Sequence, residues 1–472
     1  MTRLSSFTLM RALHRFCPVL VFLVVIVLAA CKGGDSSSPE FDTARYRWID
    51  ADGPSSQADT LLGYLSRVEG HGISARAFPA VELRADIDSL RSIFAAGRYV
   101  PEADTIMMRL DSMLTRELVR YARMMRFGVV RPSVVFNHLL KDADHEYKSY
   151  RHIFDLPVEE PSDSFDRVVV AAVDEARLRD VLAEVQPSSH HYLRVQSELK
   201  RAVESGDSAL ARLCRIALER GRWRYPRPDS GQYIWINLPE FMLTAVDTER
   251  DTSFTMKVCA GNQAHKSPLL MSRISLIEFN PYWVVPQSIV RNEIVPLHTG
   301  DSAYFARNNM IAINRETGEH INPTLLSERQ LRSARYTIRQ EKGAGNSLGR
   351  IIFRFPNRYS VYLHDTNNPA AFRRSVRAVS HGCVRVERPL DLCMFLLGPN
   401  PSKRLVDRIR QSIDLPALHA TDSLPEIKTT SPYVPTRLWI DYQTLYFDAQ
   451  GKMHVCPDSY GYDEVICECM KF

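Results

Sequence analysis

Two short stretches of this chain hold residues able to do acyl-transfer chemistry together. One is Leu363-His364-Asp365-Thr366; the other is Ser380-His381-Gly382-Cys383-Val384-Arg385, with fifteen residues between His364 and Ser380. A thiol attacks a carbonyl carbon well only as thiolate, so it needs a positive or basic neighbour. Histidine supplies one near neutral pH. His381 stands two residues before the cysteine and His364 nineteen before it. Ser360-Val361-Tyr362-Leu363 reads as an apolar strand that ends at His364, and a strand end is a rigid mount for a base. Gly382 lets the backbone turn tightly and aim the amides of Gly382 and Cys383 at a developing oxyanion. Nucleophile, base and oxyanion cradle suffice for acyl transfer. A lone Cys–His pair would be read first as a structural thiol beside loop histidines; this pattern is longer than that.

Such residues need a β framework, and the pattern from 226 to 400 supplies one. Tyr233–Leu238, Phe241–Val246, Phe254–Cys259, Ile274–Phe279, Arg350–Phe355 and Tyr359–Leu363 are short runs rich in β-branched and aromatic residues. Residues 296–345 interrupt them with polar sequence, one expected helix (Leu325–Ala334) and a Gly343-Ala344-Gly345-Asn346 turn. An insertion of that length in a compact domain reads as a lid. Before a breaker-rich boundary near Tyr225-Pro226-Arg227-Pro228, residues 41–225 read as a helical scaffold. Leu110, Met113, Leu114, Leu118, Tyr121 and Met125 recur at helical spacing up to Gly128. Leu178, Val181, Leu182 and Val185 repeat the pattern up to Pro187, and Leu193 and Leu199 predict a further short helix. Residues 401–472 form a C-terminal extension with a cysteine cluster. The fold class expected is α+β: a helical scaffold, then a mainly β domain with a capping insertion.

The 472 residues are 45% hydrophobic and 24% charged, ordinary globular composition for two or three domains. Net charge is +5, and no basic stripe, zinc-finger spacing, Walker loop or GxGxxG appears, so no nucleic-acid binding, metal or organic cofactor is expected. Residues 1–30 look like a secretory signal: scattered arginines, then an apolar run from Val19 to Ala30 too short to span a bilayer. Leu28-Ala29-Ala30-Cys31 resembles a bacterial lipobox, which makes Cys31 a lipidation site, and Lys32 to Pro39 a flexible tether within 31–40. An ordinary signal peptide or an uncleaved anchor is the plainer alternative. The expected location is the cell envelope, facing the periplasm from the outer membrane. Cys17 leaves with the signal. Cys214, Cys259 and Cys393 sit in apolar surroundings and read as small buried hydrophobes. Cys456, Cys467 and Cys469, near His454, suggest a tail disulfide or free thiols more than zinc, because Cys-x-Cys is not the usual zinc spacing.

The His364…Ser380-His381-Gly382-Cys383 pattern resembles the catalytic motif of the L,D-transpeptidases of the YkuD-domain family: a histidine, a spacer of this length, then Ser/Thr-His-Gly-Cys. Arg385 stands where the motif usually has asparagine, which is similar to a branch of large periplasmic enzymes related to YcbB. Phe279-Asn280-Pro281-Tyr282-Trp283-Val284-Val285-Pro286, Asn346-Ser347-Leu348-Gly349-Arg350, and the tail near Tyr442–Gly451 and Asp458–Asp463 fit that branch too. The resemblance is specific over about 226–400 and weak elsewhere, and the short gap after Ala202 leaves no room for the three-helix peptidoglycan-binding module many relatives carry. It implies that Cys383 attacks a stem-peptide carbonyl, that His364 takes and returns the proton, and that the amides of His381, Gly382 and Cys383 form the oxyanion hole. The Asp365 carbonyl orients the imidazole; Asp365 itself, Ser380 and Arg385 support the loop, Arg385 alternatively meeting a substrate carboxylate. Trp283 and Tyr362 line the donor channel or belong to the core. The implied partners are peptidoglycan stem peptides (a tetrapeptide donor and a diamino-acid acceptor), the membrane through its lipid anchor, and carbapenem-type β-lactams as inhibitors. The implied product is a 3→3 link. Water as acceptor gives a carboxypeptidase or endopeptidase, and a protein amine gives attachment of a protein to the wall. A dead, wall-binding relative would have lost Cys383 or His364.

Overall fold

A computed structural model describes residues 41–138, 153–226, 230–448 and 450–470. The expected signal peptide 1–30, Cys31, the 31–40 tether and residues 227–229 of the expected boundary lie outside the described residues.

The scaffold begins with a short hairpin, β1 (Ile49–Asp50) and β2 (Gly53–Pro54). Eight helices follow among the described residues up to Arg222. The longest, Pro101–Phe127, starts on a proline with Glu102 and Asp104 in its first turn and Arg126 in its last, charges that suit the helix dipole. Met107, Leu110, Leu114, Leu118, Tyr121 and Met125 form its buried stripe, while Met113 packs only at the edge. The expected short helix at Leu193 and Leu199 runs longer, His190–Glu204, and buries Tyr192, Val195, Leu199 and Ala202. Leu193 points to solvent, 50% exposed, because the stripe is phased one residue earlier. One piece of this region, β3 (Phe154–Asp155), runs parallel to an edge of the large sheet.

That sheet contains most of the remaining strands. They are β4 (Gln232–Asn237), β5 (Met242–Asp247), β6 (Thr252–Gly261), β7 (Leu269–Ile274) and β8 (Leu276–Phe279). After the insertion's β9 (Trp283–Val284), β10 (Met310–Asn314), β11 (His320–Ile321) and β12 (Tyr336–Gln340) come β13 (Ile351–Arg354), β14 (Leu363–His364), β15 (Ala378–Ser380) and β16 (Val384–Val386). The C-terminal segment adds β17 (Thr429–Thr430), β18 (Thr436–Asp441), and the hairpin β19 (Leu445–Phe447) and β20 (Met453–Val455). The order across the large sheet is β17-β8-β13-β14-β16-β6-β5-β4-β18-β7-β3, with β15 also on β6. Residues 401–472 therefore supply an inner strand, β18, paired parallel to β4 and antiparallel to β7.

Two expected elements differ. The run Tyr359–Leu363 is a strand only at Leu363–His364. Asn357 is the reason: its Oδ1 accepts the amides of Tyr359 and Val361 at 3.0 and 3.1 Å, and its Nδ2 donates to the Val361 carbonyl. Ser360 is driven to φ +55°, so a side-chain-stapled turn replaces the ladder. The expected helix Leu325–Ala334 shrinks to Glu328–Arg332, opened by a Ser327–Gln330 capping box.

The insertion is a body of its own. Its sheet, β11-β10-β12-β9, starts at Trp283 rather than at 296. Val285, Val290, Ile294, Phe305, Leu331 and Ile338 build a separate core. A helical stretch from Gln287 to His298 includes a π-helical turn, Val290–Ile294, a distortion common at functional sites.

Candidate active site

Three strands bring the two motif segments together. β14 runs parallel to β16 with His364 opposite Arg385, and β13 places Ile352 on the other side of His364. β16 lies antiparallel to β6, with Arg385 opposite Cys259. Fully buried Leu363 locks β14 into the core; truncating such a side chain to alanine costs on the order of 2–5 kcal/mol.

His364 is 4% exposed. Burial, helped by the charge of Arg385, pulls its pKa down to about 3, while the carbonyls of Asp365 and Leu348 favour the protonated ring. Neither carbonyl meets Nδ1 at full hydrogen-bond geometry, and that nitrogen is buried without a partner. The imidazole is therefore neutral at ordinary pH and able to accept a proton. The Tyr362 hydroxyl bonds to the Cys383 thiol, and burial, then Cys383, pushes the Tyr362 pKa up. The Tyr362 ring meets the His364 ring edge-on with centroids 5.6 Å apart. Tyr362, expected in the donor channel or in the core, thus touches the candidate nucleophile.

Arg385 is largely buried, which lowers its pKa, while thiolate charge at Cys259 or Cys383 favours its charged form. Its Nε is buried without a hydrogen-bond partner. The guanidinium disfavours imidazolium at His364 and favours thiolate at Cys383.

The Cys383 loop is held by Ser380. Its hydroxyl donates to the Cys383 carbonyl and accepts from the Gly382 amide at 3.2 Å. Gly382 sits at φ +109°, a region only glycine enters without strain. Of the three expected oxyanion amides, that of Gly382 is committed to Ser380 in this arrangement. His381 points outward: its Nε2 meets Glu293 Oε1 at 2.7 Å, and its ring lies 4.9 Å from that of His265. Glu293 stands on the π-helical turn of the insertion, so this pair ties lid to catalytic loop.

Asp365 approaches the imidazole by its carbonyl, while its side chain and Trp283 make other contacts. The Asp365 carboxylate accepts the Arg350 amide at 2.8 Å and also that of Thr366, and serves the backbone rather than the imidazole. A Cβ on Gly349, itself at φ +63°, would lie 2.4 Å from that carboxylate. Trp283 is in the lid sheet, opposite Gln340, and packs on the lid's own core.

The other thiols play no part here. Cys214, Cys259 and Cys393 are buried, and burial pushes Cys214 up to about 11 and Cys393 up to about 12, so they stay as inert thiols. Cys456, Cys467 and Cys469 are free rather than disulfide-bonded, and no group of three metal-ligating side chains occurs among the described residues. His454 is engaged by Asp448 at 2.8 Å.

Residues 231–398 match the family described as the L,D-transpeptidase catalytic domain, YkuD, and residues 42–199 match one described as a scaffold domain. A Haemophilus influenzae protein described as a candidate L,D-transpeptidase is 25% identical over 407 residues, 80% of this chain and 78% of that protein. The crystal structure of L,D-transpeptidase 3 from Mycobacterium tuberculosis matches at 12% identity and a TM-score of 0.19, over 34% of this chain and 53% of that one.

Proposed function

We propose that this chain, whose residues 231–398 match the YkuD catalytic domain of L,D-transpeptidases, forms 3→3 cross-links in peptidoglycan through a thioester on Cys383. The observation that carries this reading is the meeting of neutral His364, Arg385 and the Cys383–Tyr362 pair across β14 and β16. His364 removes the thiol proton as sulfur attacks the carbonyl of the third stem residue, a diamino acid. Arg385 stabilises the thiolate that forms. The C–N bond to terminal D-alanine breaks, and the imidazolium returns its proton to the leaving amine. Because Arg385 and burial disfavour imidazolium, that proton is held only briefly. The amine of a second stem then attacks the thioester, forming the new amide and freeing the thiol.

Arg385 in place of asparagine, together with the scaffold and lid, supports a place in the large periplasmic branch. The Leu28-Ala29-Ala30-Cys31 sequence supports an envelope lipoprotein tethered at Cys31, facing the periplasm from the outer membrane. Thiol acylation by carbapenem-type β-lactams follows from the same chemistry.

The test is incubation of the protein, Cys31 replaced and the tether kept, with disaccharide-tetrapeptide, and mass spectrometry of the products. A dimer lacking one D-alanine, absent with Cys383→Ala, is expected. Tripeptide alone would replace transpeptidation by carboxypeptidation.

A further inference from the structure

The loop that carries Cys383 is anchored from behind by residues far from it in sequence. Ser267 is fully buried. Its hydroxyl donates to the Gly382 carbonyl at 2.9 Å, across 115 positions of chain, and accepts from the Gly261 amide at 2.9 Å. The peptide unit joining Gly382 to Cys383 is planar, with its C=O and N–H pointing in opposite directions. Holding the Gly382 carbonyl on Ser267 therefore sets the direction of the Cys383 N–H, away from Ser267. Ser380 holds the flanking Gly382 amide and Cys383 carbonyl, but neither belongs to that unit's C=O and N–H.

Ser267 is held in turn by the C-terminal segment. The Tyr460 hydroxyl donates to the Gly261 carbonyl at 2.8 Å and accepts from the Ser267 amide at 3.2 Å. The Tyr460 amide donates to the Tyr442 hydroxyl at 2.8 Å, which donates to Asp458 at 2.6 Å. Lys266 adds a bond from Nζ to the Tyr460 carbonyl at 3.1 Å. The hydroxyls of Ser267 and Tyr460 each both donate and accept, and buried polar groups matched in this way are rigid.

We propose that Ser267, fixed by Tyr460, is a positioning residue for acyl transfer: it aims the Cys383 amide at the substrate oxygen that becomes the oxyanion. This rests on Cys383 being the acylated thiol. It also makes residues beyond 400 part of the machinery, since the Tyr460 hydroxyl holds both the Ser267 amide and the Gly261 carbonyl.

Two rates on the full chain test it: release of D-alanine from disaccharide-tetrapeptide, and alkylation of Cys383 by iodoacetamide. Alkylation needs the thiol and its base but no oxyanion hole. For Ser267→Ala, kcat for D-alanine release is expected to fall about tenfold or more, the scale of a misaimed donor. KM and alkylation should stay within about twofold. Tyr460→Phe, which removes one hydroxyl and keeps the ring packing, should lose less of the same kcat. Unchanged release in both variants would overturn the proposal, as would release, alkylation and melting temperature falling together. A wild type that is alkylated at Cys383 yet releases no D-alanine would instead overturn the acyl-transfer reading beneath it.

Discussion

In the catalytic sheet, His364 is set between Ile352 and Arg385 by strands drawn from separate parts of the chain. In the lid, Glu293 stands on a π-helical turn within a unit that folds around its own core. The first arrangement is over-determined: His364 cannot shift without breaking a ladder and uncovering Leu363. The second meets the catalytic loop through His381 and Glu293, both about 40% exposed, at 39% and 43%. Ion pairs that open to water are worth about 0–1 kcal/mol, so the lid is lightly latched. Chemistry is built into the rigid region and access into the loosely tied one, the division expected of a lid that admits one acceptor and excludes another.

The largest expected break in that contrast comes from the sheet. His364→Ala should lower the acylation rate by roughly 10²–10⁴-fold, the usual loss of a general base, read as D-alanine release from the tetrapeptide. An effect under about tenfold would mean that the proton leaves by another route.

Next is Arg385→Gln, which sharpens the electrostatics. With the guanidinium gone, the His364 pKa should rise from about 3 and the acid limb of acylation should move to higher pH. Stability follows with a definite sign. The folded His364 binds its proton less readily than the unfolded chain, whose ordinary value is 6.5. The unfolded state therefore takes up more protons between these values, and stability is full above about pH 6.5 and lost as pH falls toward 3. His71, lowered to about 4 by burial and Arg222, adds to the same loss. Denaturant midpoints at pH 7 and 4.5 should differ less in Arg385→Gln than in the parent; an equal or larger difference would remove Arg385 from the argument.

The smallest effect belongs to the lid. Glu293→Gln should leave the acylation rate within about twofold and instead change the ratio of dimer to tripeptide, measured from one digest by mass spectrometry. A large loss of acylation would make the lid contact part of the chemistry.

How much of this was legible in the sequence differs between the regions in the same way. His364 and Cys383 stand in one short motif, and the strands on either side are runs of β-branched residues whose period is local. The helices at Pro101–Phe127 and Leu178–Val185 were equally plain. The turn at Tyr359–Val361 was hidden because one side chain, Asn357, captures amides that the apolar pattern assigns to a ladder. The lid's start at Trp283 was hidden because β9 looks like one more strand of the main sheet until its partner β12 is known. Tyr362 was visible but not its hydroxyl on Cys383, and Asp365 was legible as a support but not the Arg350 amide that its carboxylate holds. Nothing local shows what Ser267 and Tyr460 hold, since what matters is a hydrogen bond across 115 residues and another across 193.

The most direct measurement is the mass of the acylated protein. Briefly mixed with disaccharide-tetrapeptide and quenched in acid, the protein should gain the mass of the disaccharide-tripeptide acyl group, and proteolytic mapping should place it on Cys383. Dimer appearing with no adduct on Cys383, or an adduct on any other residue, would contradict the thioester route.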